Sequence, residues 1–142
     1  MRDRAEGKED HEFCFYQPGR LVDGDLELVL FETVPGSTNI GHVPVYRFRM
    51  VHPGQEETIG YIDLRVGNTH PIVMYAGHIG YRVLPEHWGQ HYAARSCKLL
   101  FGLARQHGLN PLWITTNPDN IPSRRACELA GARLVEIVDL PE

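Results

Sequence analysis

The stretch from His78 to Thr116 constrains the fold more than any other part of the chain. GHIGYRVL (77–84) has the apolar, β-forming composition of a strand and runs into a tight turn. From Gly89 to His107, Tyr92, Ser96, Leu99, Leu100, Leu103 and Ala104 recur at three- and four-residue steps and mark one helical face. Gly108 stands where a glycine closes a helix, and LWITT (112–116) reads as a short buried strand. Strand, helix and strand in this order form a crossover unit. Its two strands are expected to run parallel, with a right-handed connection.

The first half is read as strands. LELVLFETV (26–34) is rich in β-formers and is followed by a PGS turn. In VPVYRFRMV (43–51), Tyr46, Phe48 and Met50 alternate with Arg47 and Arg49, as in a half-buried strand. HPGQEE turns the chain into TIGYIDLRV (58–66), where Gly60, Ile62, Leu64 and Val66 share a face, so the two strands are expected to form a hairpin. Beyond the crossover, Asn120 can cap a second helix, with Pro122 in its first turn and Gly131 past its end. ARLVEIVDL (132–140) reads as the last strand. The fold class is therefore α/β (α+β): a mixed central β-sheet with helices on its faces.

At 142 residues and 16.1 kDa the chain fits a single domain, 1–142. The charged N-terminus, 1–11, is too polar to bury and is expected to fray. The formal net charge of −4 argues against a general nucleic-acid binder, which usually carries a basic excess. Three cysteines, an odd number without framework spacing, suit reduced thiols in the cytoplasm. The N-terminus lacks the apolar core of a secretory signal, and no apolar run is long enough for a membrane span.

A strand that ends in a tight loop and starts a helix aims backbone N–H groups and the positive end of the helix dipole at one spot, which suits phosphate. Neither a GxGxxG nor a GxxxxGK[ST] motif is present, so dinucleotide and P-loop readings fall away. His87 and His91 are one helical turn apart. Trp88 replaces the glutamate of a zincin helix and no third ligand is evident, so no metal is expected.

The run Pro85-Glu86-His87-Trp88-Gly89-Gln90-His91-Tyr92-Ala93 resembles the pyrophosphate motif of the GNAT superfamily of N-acetyltransferases. The Trp-Gly pair is similar to the form found in ribosomal-protein N-terminal acetyltransferases. Asn-x-x-Ser-Arg-Arg from Asn120 to Arg125, followed by Gly131, resembles the family's last helix; the likeness extends over 77–135. It implies an acetyl-CoA site and a GNAT-like fold. Pantetheine would pair with backbone groups of Tyr81, Arg82 and Val83, and the diphosphate would lie on the amides of Gly89, Gln90, His91, Tyr92, Ala93 and Ala94, with Trp88 beside them. Asn120 would reach the pantetheine arm. A primary amine would attack the thioester directly while backbone donors stabilise the oxyanion.

The chain departs from the family at three places. His91 replaces the second glycine of the motif, where a bare backbone would approach phosphate closely. Cys127 stands where many members place the tyrosine that protonates the leaving thiolate, and is the candidate acid. Only residues 35–44 separate the strands between which relatives place acceptor-binding helices, and the final strand that relatives usually add after 132–140 is not read before Glu142. That exposed C-terminal edge is expected to be covered by a partner subunit, as in a homodimer. His78 is the candidate general base, with Asp63 and Glu86 behind it. Arg95, Lys98, Arg124 and Arg125 are candidates for the CoA 3′-phosphate. Rival readings are a CoA-binding relative without turnover and an interaction module that uses the C-terminal edge.

Overall fold

The computed structural model describes residues 13–37, 42–117 and 119–133. Among these, five strands form one antiparallel sheet in sequence order: β1 (Leu21–Asp23), β2 (Leu26–Val34), β3 (Val45–Val51), β4 (Gly60–Arg65) and β5 (Ile79–Val83). Two helices follow, α1 (Tyr92–Gln106) and α2 (Ile121–Leu129).

β1 and β2 close on the two-residue loop Gly24–Asp25, with Asp23 opposite Leu26. Gly24 has φ 58°, the positive value that a tight hairpin needs at this position. In β2 the register with β3 shifts between Leu30 and Glu32, a bulge that leaves Phe31 exposed. Alternation along β3 and β4 sends Tyr46, Phe48, Met50, Ile62 and Leu64 to one buried face. Leu100, Leu103 and Ala104 of α1 close that core, and Ala126 and Leu129 of α2 pack against it. The charged residues Arg47 and Asp63 pair with each other on the opposite face of the sheet.

The N-terminal segment straps the far end of α1. The Tyr46 hydroxyl accepts from the Tyr16 amide at 2.8 Å and meets His107 Nε2 at 2.6 Å, while the Phe13 ring stacks on His107.

The crossover is parallel as its sequence implies, but the pairing is brief. A single parallel bridge joins Ile79 to Ile114, with the His78 amide donating to the Trp113 carbonyl at 2.7 Å. The expected strand 112–116 is thereby reduced to one bridge. The chain is drawn aside just beyond it, where Thr115 Oγ1 donates to the Tyr75 carbonyl at 2.8 Å. A five-residue π-helical turn, Ile72–Ala76, precedes β5 in a stretch without a helical sequence period. Most of the expected strand 132–140, and the sheet edge it was to supply, lies outside the described residues, as does 1–11.

Candidate active site

The cradle is built by backbone conformation. After a 3₁₀ turn at Pro85–His87, Gly89 adopts φ 94° and His91 adopts φ 61° and ψ 28°, the left-handed region. Left-handed residues among right-handed ones fold successive N–H groups into a concave nest. Among the described residues, the amides from 89 to 94 donate to no protein acceptor; Arg95 N is the first to close a helical bond, to the His91 carbonyl at 3.0 Å. No side chain caps the N-terminus of α1. Donors left bare in this way, at the positive end of a four-turn helix, suit an anion. His91 is exposed, and its side chain makes no hydrogen bond among the described residues. What the position demands is a positive φ, which glycine adopts at less cost than histidine.

The neighbouring edge of β5 is open. His78 accepts from Arg65 N and Leu84 donates to the Ile59 carbonyl, which fixes the parity of the β4–β5 ladder. By the antiparallel alternation, Arg82 turns its backbone groups inward to β4, whereas Tyr81 and Val83 turn theirs outward. Beyond Ile114 nothing among the described residues pairs with that outward edge in a ladder. The expected backbone contact at Arg82 is therefore corrected: its amide and carbonyl face β4, and its side chain lies over the Tyr61 ring, 5.9 Å from the centroid. Trp88 Nε1 donates to the outward Val83 carbonyl at 2.8 Å. The strand edge at Tyr81 and Val83 and the bare amides of 89–94 are separated by a turn whose Leu84, His87 and Trp88 amides are all bonded.

A family model for the acetyltransferase (GNAT) domain matches residues 23–133, most of the chain. The chain belongs to the GNAT acetyltransferase family. No curated protein and no solved structure matches it significantly. Acyl transfer is the chemistry of GNAT domains, and acetyl-CoA is their co-substrate.

Beside the bare amides, the start of α1 is tied to the β1–β2 turn. Arg95 Nε meets Asp23 at 2.8 Å and Arg95 Nη2 meets Asp25 at 2.7 Å, while the Tyr92 hydroxyl donates to Asp25 at 2.8 Å. The Arg95 and Tyr92 hydrogen bonds hold the Asp25 carboxyl below its usual range. Arg95 is therefore committed to carboxylates rather than to a CoA phosphate. Arg125 pairs with Glu128 at 3.3 Å, and Lys98 is exposed on α1.

Cys127 is half-buried on α2, with the Tyr81 hydroxyl 3.8 Å from its sulfur and 2.6 Å from Ser123 Oγ. Burial pushes the Cys127 thiol up, so it is protonated at neutral pH. Asn120 caps α2, its Oδ1 accepting from the Ser123 amide at 3.2 Å. The cap occupies the oxygen and directs the residue toward helix formation. Asp63 is held by Arg47 at 3.5 Å, and Glu86 lies exposed on the 3₁₀ turn.

His78 does not fit the role of base. It is fully buried, and the Trp113 amide donates to Nδ1 at 2.9 Å. That leaves the proton on Nε2, which donates to Asn68 Oδ1 at 2.9 Å. Both nitrogens are consumed in a brace between the start of β5 and Trp113. Burial, aided by the Arg65 charge, lowers its pKa; burial also lowers that of His107. In the folded state both rings stay neutral where unfolded histidine, near pKa 6.5, takes up a proton. The stability they contribute is therefore complete above about pH 6.5 and is lost as pH falls below it. Denaturant melts are expected to show stability falling below pH 6.5 by up to about 1.4 kcal/mol per pH unit for each histidine. A flat profile between pH 7 and pH 5 would contradict the brace.

The sequence reading missed a cleft of about 420 Å³ at the other end of the sheet. Val34, Val43, Val45, Pro71 and Ile72 give it apolar walls, and Arg65, Thr69 and His42 add the polar groups. It sits beside the last residues of β2 and β4 and the first of β3. Arg65 N bonds to His78 at the start of β5, whereas the cradle follows the end of β5. Among the described residues no group of three or more His, Cys, Asp or Glu converges to hold a metal ion. No helix among them is long and apolar enough to cross a membrane.

Proposed function

We propose that the chain moves an acetyl group from acetyl-CoA to a primary amine by direct attack. The observations that carry this reading are the bare amides of 89–94 and the outward edge of β5 at Tyr81 and Val83, of which only the Val83 carbonyl is taken, by the Trp88 indole. Those amides are the donors for the CoA diphosphate, and the outward groups of Tyr81 and Val83 are the partners for the pantetheine amides. The amine enters from the cleft at the opposite end of β5. His42, an exposed imidazole on the cleft lining, takes the proton from the attacking nitrogen. As the C–N bond forms and the C–S bond breaks, the Cys127 thiol supplies a proton to the departing sulfur. Held protonated by burial, Cys127 can act as this donor.

Free-thiol release from acetyl-CoA across a panel of amines tests the reading. The expected result is release that depends on the amine and is blocked by desulfo-CoA. Thiol release that is absent, or indifferent to amine, at saturating acetyl-CoA would overturn it. The competing reading is a CoA-binding domain without turnover. Trp88 favours it, because its indole already occupies the Val83 carbonyl. CoA binding without amine-dependent release is its signature.

The three described cysteines are free thiols, which supports a reducing, cytoplasmic setting.

A further inference from the structure

Among the described residues, Arg65 and Arg49 differ from the other arginines with identified side-chain bonds: Arg49 donates to the Glu56 carbonyl and to Thr58 Oγ1. Arg20, Arg47, Arg95 and Arg125 each hold a carboxylate. Arg65 holds only two carbonyls, its Nη1 donating to Ala76 at 3.2 Å and to Gly77 at 3.0 Å. Among the described residues, Nε and Nη2 have no hydrogen-bond partner. The guanidinium is half-buried and lies against β5 at Gly80, where an added Cβ would come 2.7 Å from Nη2. A bare backbone at Gly80 is what lets the charge sit there. The remaining Nε/Nη2 edge is a planar two-donor fork, the geometry that matches a carboxylate.

Among the described residues, the lining of the cleft beside this charge has no Asp or Glu, and its walls are chiefly valine, proline and isoleucine. A polyamine or an aminoglycoside would bring several cations to a site whose described lining offers no carboxylate and one guanidinium. We infer that Arg65 anchors the carboxylate of the acceptor, and that the acceptor is a small amino acid with a branched apolar side chain. The inference rests on the acyl-transfer reading for its chemistry, but the carboxylate contact can be measured without turnover. The apolar walls take the side chain, Arg65 takes the carboxylate, and the amino group is left for the acetyl donor.

The probes are N-acetylleucine, the acetylated form of such an acceptor, and N-acetylleucinamide, its uncharged counterpart. Binding of each is followed by calorimetry or amide chemical shifts, with CoA affinity measured separately. The expected result is roughly tenfold or greater preference for the carboxylate form, the worth of one charge-assisted contact. Arg65→Gln is expected to abolish that preference while CoA affinity stays within about twofold. Should Arg65→Gln fold poorly, Arg65→Lys keeps the charge without the fork and is expected to retain only part of the preference. Equal binding of the two probes to the wild type, no binding of either, or preferential acetylation of spermidine over leucine would overturn the proposal. Loss of CoA binding would instead strike the acyl-transfer reading.

Discussion

Gly60→Ala is expected to destabilise the domain by about 3 kcal/mol or more, lowering the melting temperature by roughly 10 °C. Gly60 is buried and stands opposite Val83 in a non-hydrogen-bonded pair, the closer-spaced kind in an antiparallel ladder. A Cβ there would overlap the Arg82 carbonyl oxygen and come 2.9 Å from Val83 Cα. Both obstacles are backbone, so no rotamer change relieves the clash and the strands must part. The same displacement would move Tyr81 and Val83, so CoA affinity is expected to fall along with stability. Gly102 is the control. An added Cβ there meets nothing within 4 Å on the exposed side of α1, and Gly102→Ala is expected to stabilise by up to about 1 kcal/mol. Paired thermal melts check both outcomes; a neutral Gly60→Ala would mean that β4 and β5 are not packed as described.

Ala93→Pro is expected to weaken CoA binding about 10- to 100-fold with little change in fold. Ala93 is the second residue of α1, within the first turn, where the amide makes no helical bond and proline is tolerated. The substitution subtracts one N–H from the nest and leaves the side-chain surroundings nearly unchanged. Losing one hydrogen bond to a charged group costs about 1.5–3 kcal/mol, which gives the range stated. Calorimetry with CoA measures the loss, and circular dichroism confirms that α1 persists. Unchanged affinity in a folded variant would show that the nest does not hold the diphosphate.

The parts of this architecture that local rules govern were legible in the sequence. The alternation of Tyr46, Phe48 and Met50, the helical period from Tyr92 to Ala104, the Asn120 cap and the glycines at 108 and 131 all appear where the pattern places them. The β1–β2 hairpin went unread although Asp23-Gly24 is a turn signal. What escaped depends on contacts distant in sequence. Arg95 is claimed by Asp23 and Asp25, some 70 residues earlier, so its apparent freedom for a phosphate was an artefact of reading α1 alone. His78 looks like a base on its strand, yet Asn68 and Trp113 take both nitrogens. Arg65 gave no signal of its own, because its meaning comes from Gly80 on the next strand and from carbonyls of the turn before it. His91 was legible as an odd residue in the motif. Its φ of 61° gives a further reason for glycine there: conformational freedom as well as room for a phosphate.

The most direct measurement is an amide-shift titration of the isotopically labelled chain with CoA. The account predicts that the largest changes fall on the amides of residues 89–94, with Tyr81 and Val83 next and the Arg65 cleft nearly still. Saturating CoA that leaves residues 89–94 unshifted, or shifts centred elsewhere on the surface, would contradict it.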